Sequence, residues 1–293
     1  MRWRGREKST NVEDRRSMTP ARVAGGGGLL ALIIAVGIML LGGDPRGFLG
    51  AVQQQQQRQA ARAPDAGGAP GAGQPGDEAG DFIAVVLRET EKVWTQLFRE
   101  YVNGAYRPPK LVIFSDRVRS GCGLASAAMG PFYCPADQQV YIDPTFFDQL
   151  ENRHNAPGDF AQAYVIAHEV GHHVQKLLGF SDTVDRVRAS GDKAASNRAS
   201  VRLELQADYL AGVWAHHAHQ EYNILEEGDI AEAMNAANQI GDDTLQRQSQ
   251  GFVVPGRFTH GSSAQRVRWF KQGLASGDFN GCQQLFELDY KEL

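Results

Sequence analysis

Cysteine is scarce in this sequence, and neither sign of charge dominates it. The 293 residues include three cysteines, too few for a disulfide scaffold, and no two of them have the C-x-x-C spacing of a structural zinc site. The formal charge at pH 7 is -4, so the composition predicts no nucleic-acid partner. These absences exclude a small disulfide-rich protein, a zinc-ribbon protein and a typical nucleic-acid binder.

Two of the cysteines, Cys122 and Cys134, flank a glycine-rich stretch. In an oxidising compartment they could close a hairpin-like loop and leave Cys282 unpaired. In a reducing compartment the same residues would be free, buried thiols. The spacing alone leaves both alternatives open.

Large apolar side chains are rare before residue 81, except in one run. Residues 1–24 carry seven arginines or lysines against three acidic residues and precede that run, which is typical of a basic cytoplasmic leader. Residues 25–43 are predicted to be a transmembrane anchor, because the apolar core Leu29–Leu41 and its flanking glycines together reach the necessary length. A cleaved signal peptide and a buried core helix are the alternatives, and the poor cleavage site after the run favours the anchor.

Residues 44–80 contain a glutamine run followed by alanine, glycine and proline. Such a composition buries too little apolar surface to fold, so we predict a flexible linker. The compact domain is expected over residues 81–293. By the positive-inside rule, the chain would be a single-pass membrane protein with a cytoplasmic N-terminus and an extracytoplasmic domain.

Within the domain, predicted strands come first and helices follow. A helix is expected from Asp81, and short apolar stretches at 111–114 and 139–143 predict strands. Apolar residues then recur with helical spacing over 159–179, 197–217, 229–241 and 263–275. This order indicates an α+β fold that is mostly helical, with a small sheet before the predicted helix at 159–179.

The segment His168-Glu169-Val170-Gly171-His172 has the H-E-x-x-H pattern of zinc peptidases. Residues four apart share one helical face, so both imidazoles can bind a single Zn²⁺ ion. Glu169 lies beside that face, where it can act as a general base on water. The alternative is a pair of histidines on a solvated helix, but an apolar stripe along the same segment predicts a partly buried one.

A catalytic zinc takes three protein ligands and leaves one position for water, so a third ligand is required. Glu204 and Asp208 lie four apart on the next predicted helix. We assign Glu204 to the metal, and Asp208 to the spare N–H of a ligating histidine. The reversed roles, a ligand from His216 or His217, and an exposed acidic pair without a metal role are the alternatives.

His260 and Arg266 are the remaining candidates. His260 stands just before a serine pair that can cap a helix carrying Arg266. An imidazole N–H near the metal would stabilise an oxyanion, and Arg266 could orient it or bind a carboxylate. The alternative is a loop histidine and a surface arginine, while Asp242 and Asp243 are interpreted as a solvated turn.

These motifs together resemble a known group of peptidases. The H-E-x-x-H segment, Glu204-x-x-Ala207-Asp208, and Thr259-His260-Gly261-Ser262 with Arg266 look like the three motifs of gluzincin-type membrane peptidases related to the CAAX prenyl protease and the heat-shock protease of bacterial membranes. From about Asp81 to Cys282, the chain more closely resembles the bacterial family of putative neutral zinc metallopeptidases, the YpfJ type.

The resemblance implies a zincin-like fold, one zinc ion and an N-terminal anchor. In the CAAX-type relatives the last motif reads Thr-His-Pro, and its histidine and arginine support the tetrahedral intermediate. The resemblance therefore implies catalytic roles for His260 and Arg266. The present sequence departs from that motif at Gly261, which replaces the proline.

The expected function is hydrolysis of peptide bonds in a peptide or protein substrate, with zinc-activated water. The strand at Val140–Asp143 is expected to offer its edge to an extended substrate. One rival is a membrane-tethered, zinc-containing binding or chaperone-like module without turnover, whose zinc would have four protein ligands. Another rival is a different metal-dependent amidase, for example one that acts on the cell wall.

Overall fold

The computed structural model describes residues 1–17, 76–102 and 104–293. In these residues the strands are β1 (Val12–Asp14), β2 (Lys110–Ile113), β3 (Arg117–Ser120), β4 (Gly123–Ser126), β5 (Phe132–Cys134) and β6 (Gln139–Ile142). The helices are α1 (Glu78–Tyr101), α2 (Thr145–Asn152), α3 (Asp159–Leu178), α4 (Phe180–Ala189), α5 (Lys193–Tyr222), α6 (Asp229–Gln239), α7 (Asp242–Gln250), α8 (Ser263–Ser276) and α9 (Gln284–Glu287). The predicted α+β fold, mostly helical with a small sheet before the H-E-x-x-H helix, is confirmed.

The sheet has four strands in the order β1-β2-β6-β5, with β5 antiparallel and the others parallel. Alternate side chains of a strand point to opposite faces. Leu111 and Ile113 therefore pack into the main core with the helices, whereas Val112 and Tyr141 pack in a second cluster with the β3–β4 hairpin. The sheet thus separates the helical core from the hairpin and the loop that follows it.

Helix α3 runs through the core and is buried along most of its length. It packs against α5 and α6, and α8 packs against α5. At its C-terminus Gly179 adopts the left-handed conformation, and its N–H bonds to the carbonyls of Gln175 and Lys176. This arrangement brings residues from α3, α5 and α8 to one place in the core.

The N-terminal segment is part of the domain. Residues Met1–Arg15 and Gly73–Leu293 form one compact unit, in which β1 pairs with β2 and Val12 is buried. Basic side chains that predicted a separate leader instead pair with acidic residues of α1, as Arg6 does with Glu89 at 3.1 Å. The prediction of a leader separate from the domain is therefore wrong for residues 1–15, because their charged side chains form ion pairs with α1.

The predicted anchor, residues 25–43, and most of the linker, residues 44–80, lie outside the described residues. The linker's predicted end is corrected, since α1 begins at Glu78 and is capped by Asp77, whose side chain accepts the Gly80 N–H at 2.9 Å. Within the described ranges, none of the helices is both long enough and apolar enough to cross a membrane. The anchor stays a prediction.

Candidate active site

Helices α3 and α5 approach closely at the centre of the H-E-x-x-H motif. A Cβ atom on Gly171 would lie 3.1 Å from the Ala207 carbonyl oxygen and 3.3 Å from the Ala207 Cα. A larger side chain would push the helices apart, so glycine here permits the contact. Glu204, one turn before Ala207, is thereby brought opposite the motif's two histidines.

The three predicted metal ligands meet at this crossing. Glu204 Oε2 lies 3.3 Å from His168 Nε2, and Glu204 Oε1 lies 3.6 Å from His172 Nε2. One ligand atom from each of the three residues lies within 4.8 Å of the others. In the described part of the chain, the group that meets here has these three members.

The outer nitrogen of each histidine ring already has a partner. His168 Nδ1 lies 2.8 Å from Asp208 Oδ1, and His172 Nδ1 lies 2.8 Å from Gln175 Oε1. Both partner oxygens only accept hydrogen bonds, so each Nδ1 carries a proton and each Nε2 is the nitrogen left for a metal ion. Two imidazole nitrogens and one carboxylate oxygen are a donor set that zinc prefers. The residues present therefore fit a zinc ion.

Electrostatics at the crossing favour a cation. Burial alone lowers the pKa of His168, but the carboxylates of Asp208 and Glu204 outweigh it and raise this pKa to about 10. Burial likewise raises the pKa of Glu204, yet His172 and His168 hold it well below its ordinary value. Positive charge is thus stabilised between the two carboxylates, as a divalent metal ion requires.

Behind His168, a buried ion pair fixes Asp208. Arg266 donates from Nε to Asp208 Oδ2 and from Nη2 to Oδ1, both at 2.9 Å. The Tyr164 hydroxyl donates to Oδ1 at 2.5 Å. Asp208 thus lies next to His168, which the sequence predicts to be a metal ligand. Arg266, predicted to orient His260 or bind a carboxylate, binds the carboxylate of Asp208, and the arginine residue is 3% exposed.

A cavity of about 490 Å³ is lined by the three predicted metal ligands. Glu169 and His260 both line it, so the predicted general base and oxyanion donor face the same space as the ligands. Residues of α3, α5 and α8 line one part of the cavity, the helical wall, and residues 128–133 line another, the loop wall. Apart from His260, the rest of the lining comes from Phe146, Gln149, His154, Ile240 and Leu245. The predicted catalytic and metal-binding residues are therefore brought together around one cavity.

His216 and His217, the alternative ligands, lie elsewhere, and His173, which directly follows His172, has other partners. His216 Nδ1 and His217 Nε2 each lie 2.8 Å from a backbone carbonyl near the end of α8. His173 is buried, with Nε2 2.6 Å from the Arg107 carbonyl and Nδ1 3.1 Å from the Tyr133 hydroxyl. Its pKa is lowered to about 4, chiefly by burial. None of these three rings joins the group formed by His168, His172 and Glu204.

A disulfide between Cys122 and Cys134 closes the segment that carries the loop wall. Cys134 ends β5, whose residues Phe132 and Tyr133 line the cavity. The substrate edge expected at Val140–Asp143 is wrong, because β6 has β2 on one side and β5 on the other. In the described sheet, the strand at the edge beside the cavity is β5.

Three residues at the site were not found from the sequence. Helical spacing could have identified two of them: Gln175 lies three residues after His172, and Tyr164 lies four residues before His168. Asp242 has no such signal and was interpreted as a solvated turn. In the structure it is buried and bonds to the backbone at His260.

Comparison with known proteins places the chain. Residues 1–285 match the family described as "Putative neutral zinc metallopeptidase". The chain belongs to this family. The matched range starts at residue 1, so the family's similarity includes the N-terminal segment that completes the sheet.

Relatives in this family are similar over most of their length. The uncharacterized protein YpfJ of Escherichia coli strain K12 is 48% identical over 292 residues, which cover 96% of this chain and 98% of that protein. The uncharacterized protein Rv2575 of Mycobacterium tuberculosis is 40% identical over 265 residues, 86% of each chain. No solved structure matches the fold. The likeness to CAAX-type and heat-shock peptidases stays a prediction from the motifs.

Proposed function

We propose that this protein is a zinc-dependent endopeptidase. The observation that carries the proposal is the meeting of His168, His172 and Glu204, whose ligand atoms lie within 4.8 Å of one another beside a cavity. The hydrogen bonds at both Nδ1 atoms leave the Nε2 lone pairs for a metal. A zinc ion bound there would act as a Lewis acid that polarises the scissile carbonyl and acidifies water.

Glu169 is the residue that moves the proton. It follows His168 directly and lines the cavity, but it is not one of the three ligands. Its carboxylate accepts a proton from the attacking water as the water oxygen bonds to the carbonyl carbon. It then passes that proton to the departing amine when the C–N bond breaks. His260, on the same cavity, donates an N–H to the carbonyl oxygen as negative charge develops there.

The substrate backbone is held by β5. This strand forms the edge of the sheet and lines the cavity through Phe132 and Tyr133. An extended peptide beside it can form backbone hydrogen bonds with the free edge, independently of the peptide's side chains. Such pairing suits an endopeptidase, because it binds a stretch of chain and does not require a terminus.

The test compares the Glu169→Gln variant with wild type for zinc content and for hydrolysis of a quenched peptide library. We expect the variant to keep stoichiometric zinc and lose hydrolysis, because the amide cannot accept the proton. Glu287→Gln, an identical change at an exposed residue, is the control and should behave as wild type. Full hydrolysis by Glu169→Gln would remove the proposed mechanism.

A binding module that does not turn over substrate is the rival function. Such a module would hold a structural zinc with four protein ligands and leave no position for water. The group formed by the described residues has three members, which supports the peptidase. Binding of a hydroxamate in proportion to bound zinc would support an open coordination position, and its absence would favour the rival.

We infer that residues 1–15 share a compartment with the domain. β1 and β2 are neighbours in one sheet, whereas the single crossing predicted at residues 25–43 would place them on opposite sides of a membrane. An extracytoplasmic, oxidising location is proposed because Cys122 and Cys134 form a disulfide.

This topology is tested by labelling single cysteines in intact cells with a membrane-impermeant maleimide. Arg4→Cys reports the N-terminal segment and Lys271→Cys reports the domain, since both positions are exposed. We expect both variants to be labelled. Labelling of Lys271→Cys alone would contradict the shared compartment, and labelling of neither would contradict the extracytoplasmic location.

A further inference from the structure

Asp242, the first residue of α7, holds the loop that carries His260. Its Oδ2 accepts the backbone N–H groups of three consecutive residues: Thr259 at 2.7 Å, His260 at 2.6 Å and Gly261 at 3.1 Å. The backbone N–H of Asp242 donates in return to the Gly261 carbonyl at 2.9 Å. Four hydrogen bonds between one residue and one tripeptide fix the loop's position relative to α7.

The other carboxylate oxygen of Asp242 contacts the His260 ring. Asp242 Oδ1 lies 3.2 Å from His260 Nδ1, and a carboxylate only accepts hydrogen bonds, so Nδ1 carries a proton. Nδ1 and Nε2 lie on opposite sides of the imidazole ring, so this bond leaves Nε2 to face away from Asp242. The His260 side chain is half-exposed and lines the cavity with Glu169 and the metal ligands. One aspartate thus sets both the backbone and the ring orientation of His260.

Gly261, where a Thr-His-Pro motif has proline, allows this loop to contact Asp242. Its φ is +90°, and a Cβ here would lie 3.0 Å from Leu205 Cδ2. Proline has φ near −65° and no backbone N–H, so it could neither adopt this conformation nor donate to Asp242. The glycine is therefore the residue that the contact with Asp242 requires.

Charges around the ring favour the donating form of His260. The hydrogen bond to Asp242 raises the pKa of His260, burial lowers it, the carboxylate of Glu204 raises it and the Arg266 guanidinium lowers it, with a raised pKa as the result. The Thr259 hydroxyl also lies 3.1 Å from Nδ1. Of these groups, Asp242 is the carboxylate in direct contact with the ring.

We propose that Asp242 is a positioning residue of the peptidase, which holds His260 with Nδ1–H on its own carboxylate and Nε2 toward the carbonyl oxygen of a bound peptide. The proposal rests on the proposed function. Asp242 touches neither substrate nor metal in this account and acts only through His260. Its role is the one that an orienting carboxylate serves beside a catalytic histidine.

The test is a double-mutant cycle of Asp242→Asn and His260→Ala. Asparagine keeps one side-chain oxygen for the loop's N–H groups, but its amide nitrogen cannot accept from Nδ1–H. Loss of one oxyanion donor lowers kcat by about 10²–10³-fold, and we expect this for His260→Ala. Asp242→Asn should lower kcat by about tenfold or more with little change in KM, and should have no further effect in the His260→Ala background.

The neighbouring Asp243 provides a matched control. Its carboxylate accepts from the backbone and hydroxyl of Ser263 at 2.7 and 2.8 Å. Asp243→Asn should therefore leave kcat unchanged. An equal loss of kcat from Asp242→Asn with and without His260 would overturn the proposal, because Asp242 would then act by another route.

A second measurement separates this proposal from the proposed function. NMR titration of the His260 ring, in protein labelled with ¹⁵N-histidine, reports the orienting contact whether or not peptides are cleaved. We expect Asp242→Asn to lower the midpoint of this titration while thermal unfolding shows a folded protein. An unchanged midpoint would overturn the positioning role. A shifted midpoint without any hydrolysis by wild type would contradict only the peptidase.

Discussion

The two walls of the cavity are built in different ways. The helical wall, formed by residues of α3, α5 and α8, carries the proposed metal ligands, and the polar groups behind them pair with other buried side chains. The loop wall, residues 128–133, lies beside the second, smaller cluster. Met129 in this wall is 67% exposed. The position of the loop wall is fixed by a disulfide, by the pairing of β5 with β6 and by the contact between Tyr133 and His173.

This difference indicates a division of work. Groups that handle charge need fixed distances, and packed helices with buried hydrogen bonds supply them. A surface that contacts varied peptides benefits from a loop that can change in sequence without disturbing the core. We therefore expect changes in the helical wall to abolish metal binding or turnover, and changes in the loop wall to alter substrate binding alone.

The largest effect is expected from removing a ligand in the helical wall. His172→Ala leaves two of the three proposed ligands, so zinc content should fall from stoichiometric to near zero and hydrolysis should disappear. Metal analysis by mass spectrometry after dialysis measures the first effect, and peptide cleavage measures the second. His219→Ala, at an exposed histidine of α5, should retain both. Stoichiometric zinc in His172→Ala would remove this residue from the site.

Asp208→Asn should weaken the support behind the ligands. Breaking a buried ion pair from one side typically costs about 3–5 kcal/mol, because Arg266 would remain charged and buried. Loss of the contact to His168 should also weaken zinc binding by about 10–100-fold. Urea denaturation of the metal-free protein measures the first effect, and zinc titration measures the second.

A second variant sharpens this prediction. Asp208→Asn combined with Arg266→Met removes both charges, so much of the stability should return. Zinc affinity should stay low, because the N–H of His168 still lacks its carboxylate. Recovery of zinc affinity together with stability would show that Asp208 contributes only through folding.

The loop wall should respond more mildly. Cys122→Ser with Cys134→Ser removes the closure of this segment, and we expect KM for a peptide substrate to rise by about tenfold, equal to about 1.4 kcal/mol. Zinc content and kcat should change little, since the ligands lie on the other wall. Cys282→Ser, at the buried free cysteine, is the control. A loss of bound zinc in the double variant would contradict the independence of the two walls.

The smallest expected effect is the contribution of Asp242 to the pH dependence of the protein's stability. Burial raises the pKa of Asp242, but its hydrogen bonds from His260 and the loop lower it below its ordinary value of 3.8. The folded protein therefore binds fewer protons than the unfolded chain near pH 4, and stability rises with pH there. The stability difference between wild type and Asp242→Asn should be largest near about pH 5. It should shrink as the pH falls below about 4, where Asp242 is protonated, and shrink again as the pH rises through the raised pKa of His260, whose proton Asp242 stabilises. Urea denaturation at several pH values measures it, and a difference that grows toward low pH would contradict the assigned sign.

Local patterns predicted the fold class and the helical part of the site. The helix with the H-E-x-x-H motif was expected over 159–179 and spans Asp159–Leu178, because apolar periodicity and a terminal glycine are local signals. Helix α7 was missed, since its nine residues lack such a stripe and its acidic start resembles a turn. Strand β1 was missed because two of its three residues, Glu13 and Asp14, are charged, so it lacks the apolar pattern of a strand.

The partners of buried charges were the hardest to predict. Arg266 lies 58 residues from Asp208, and the two are bonded only because α8 packs on α5. Arg6 lies 83 residues from Glu89, and without that partner the N-terminal charges resembled a leader. Sequence spacing carries no information about such pairs, since helix packing, and not helix periodicity, brings them together.

The sequence by itself determined that His168 and His172 share a helical face with Glu169 beside it, because four residues make about one helical turn wherever the helix lies. It also determined which segments bury apolar side chains. Only the tertiary structure decided that Glu204 meets those histidines, that Asp242 holds His260, and that residues 1–15 complete the sheet. These contacts join residues far apart in the chain, so they depend on how close two elements can pack, as Gly171 against Ala207 illustrates.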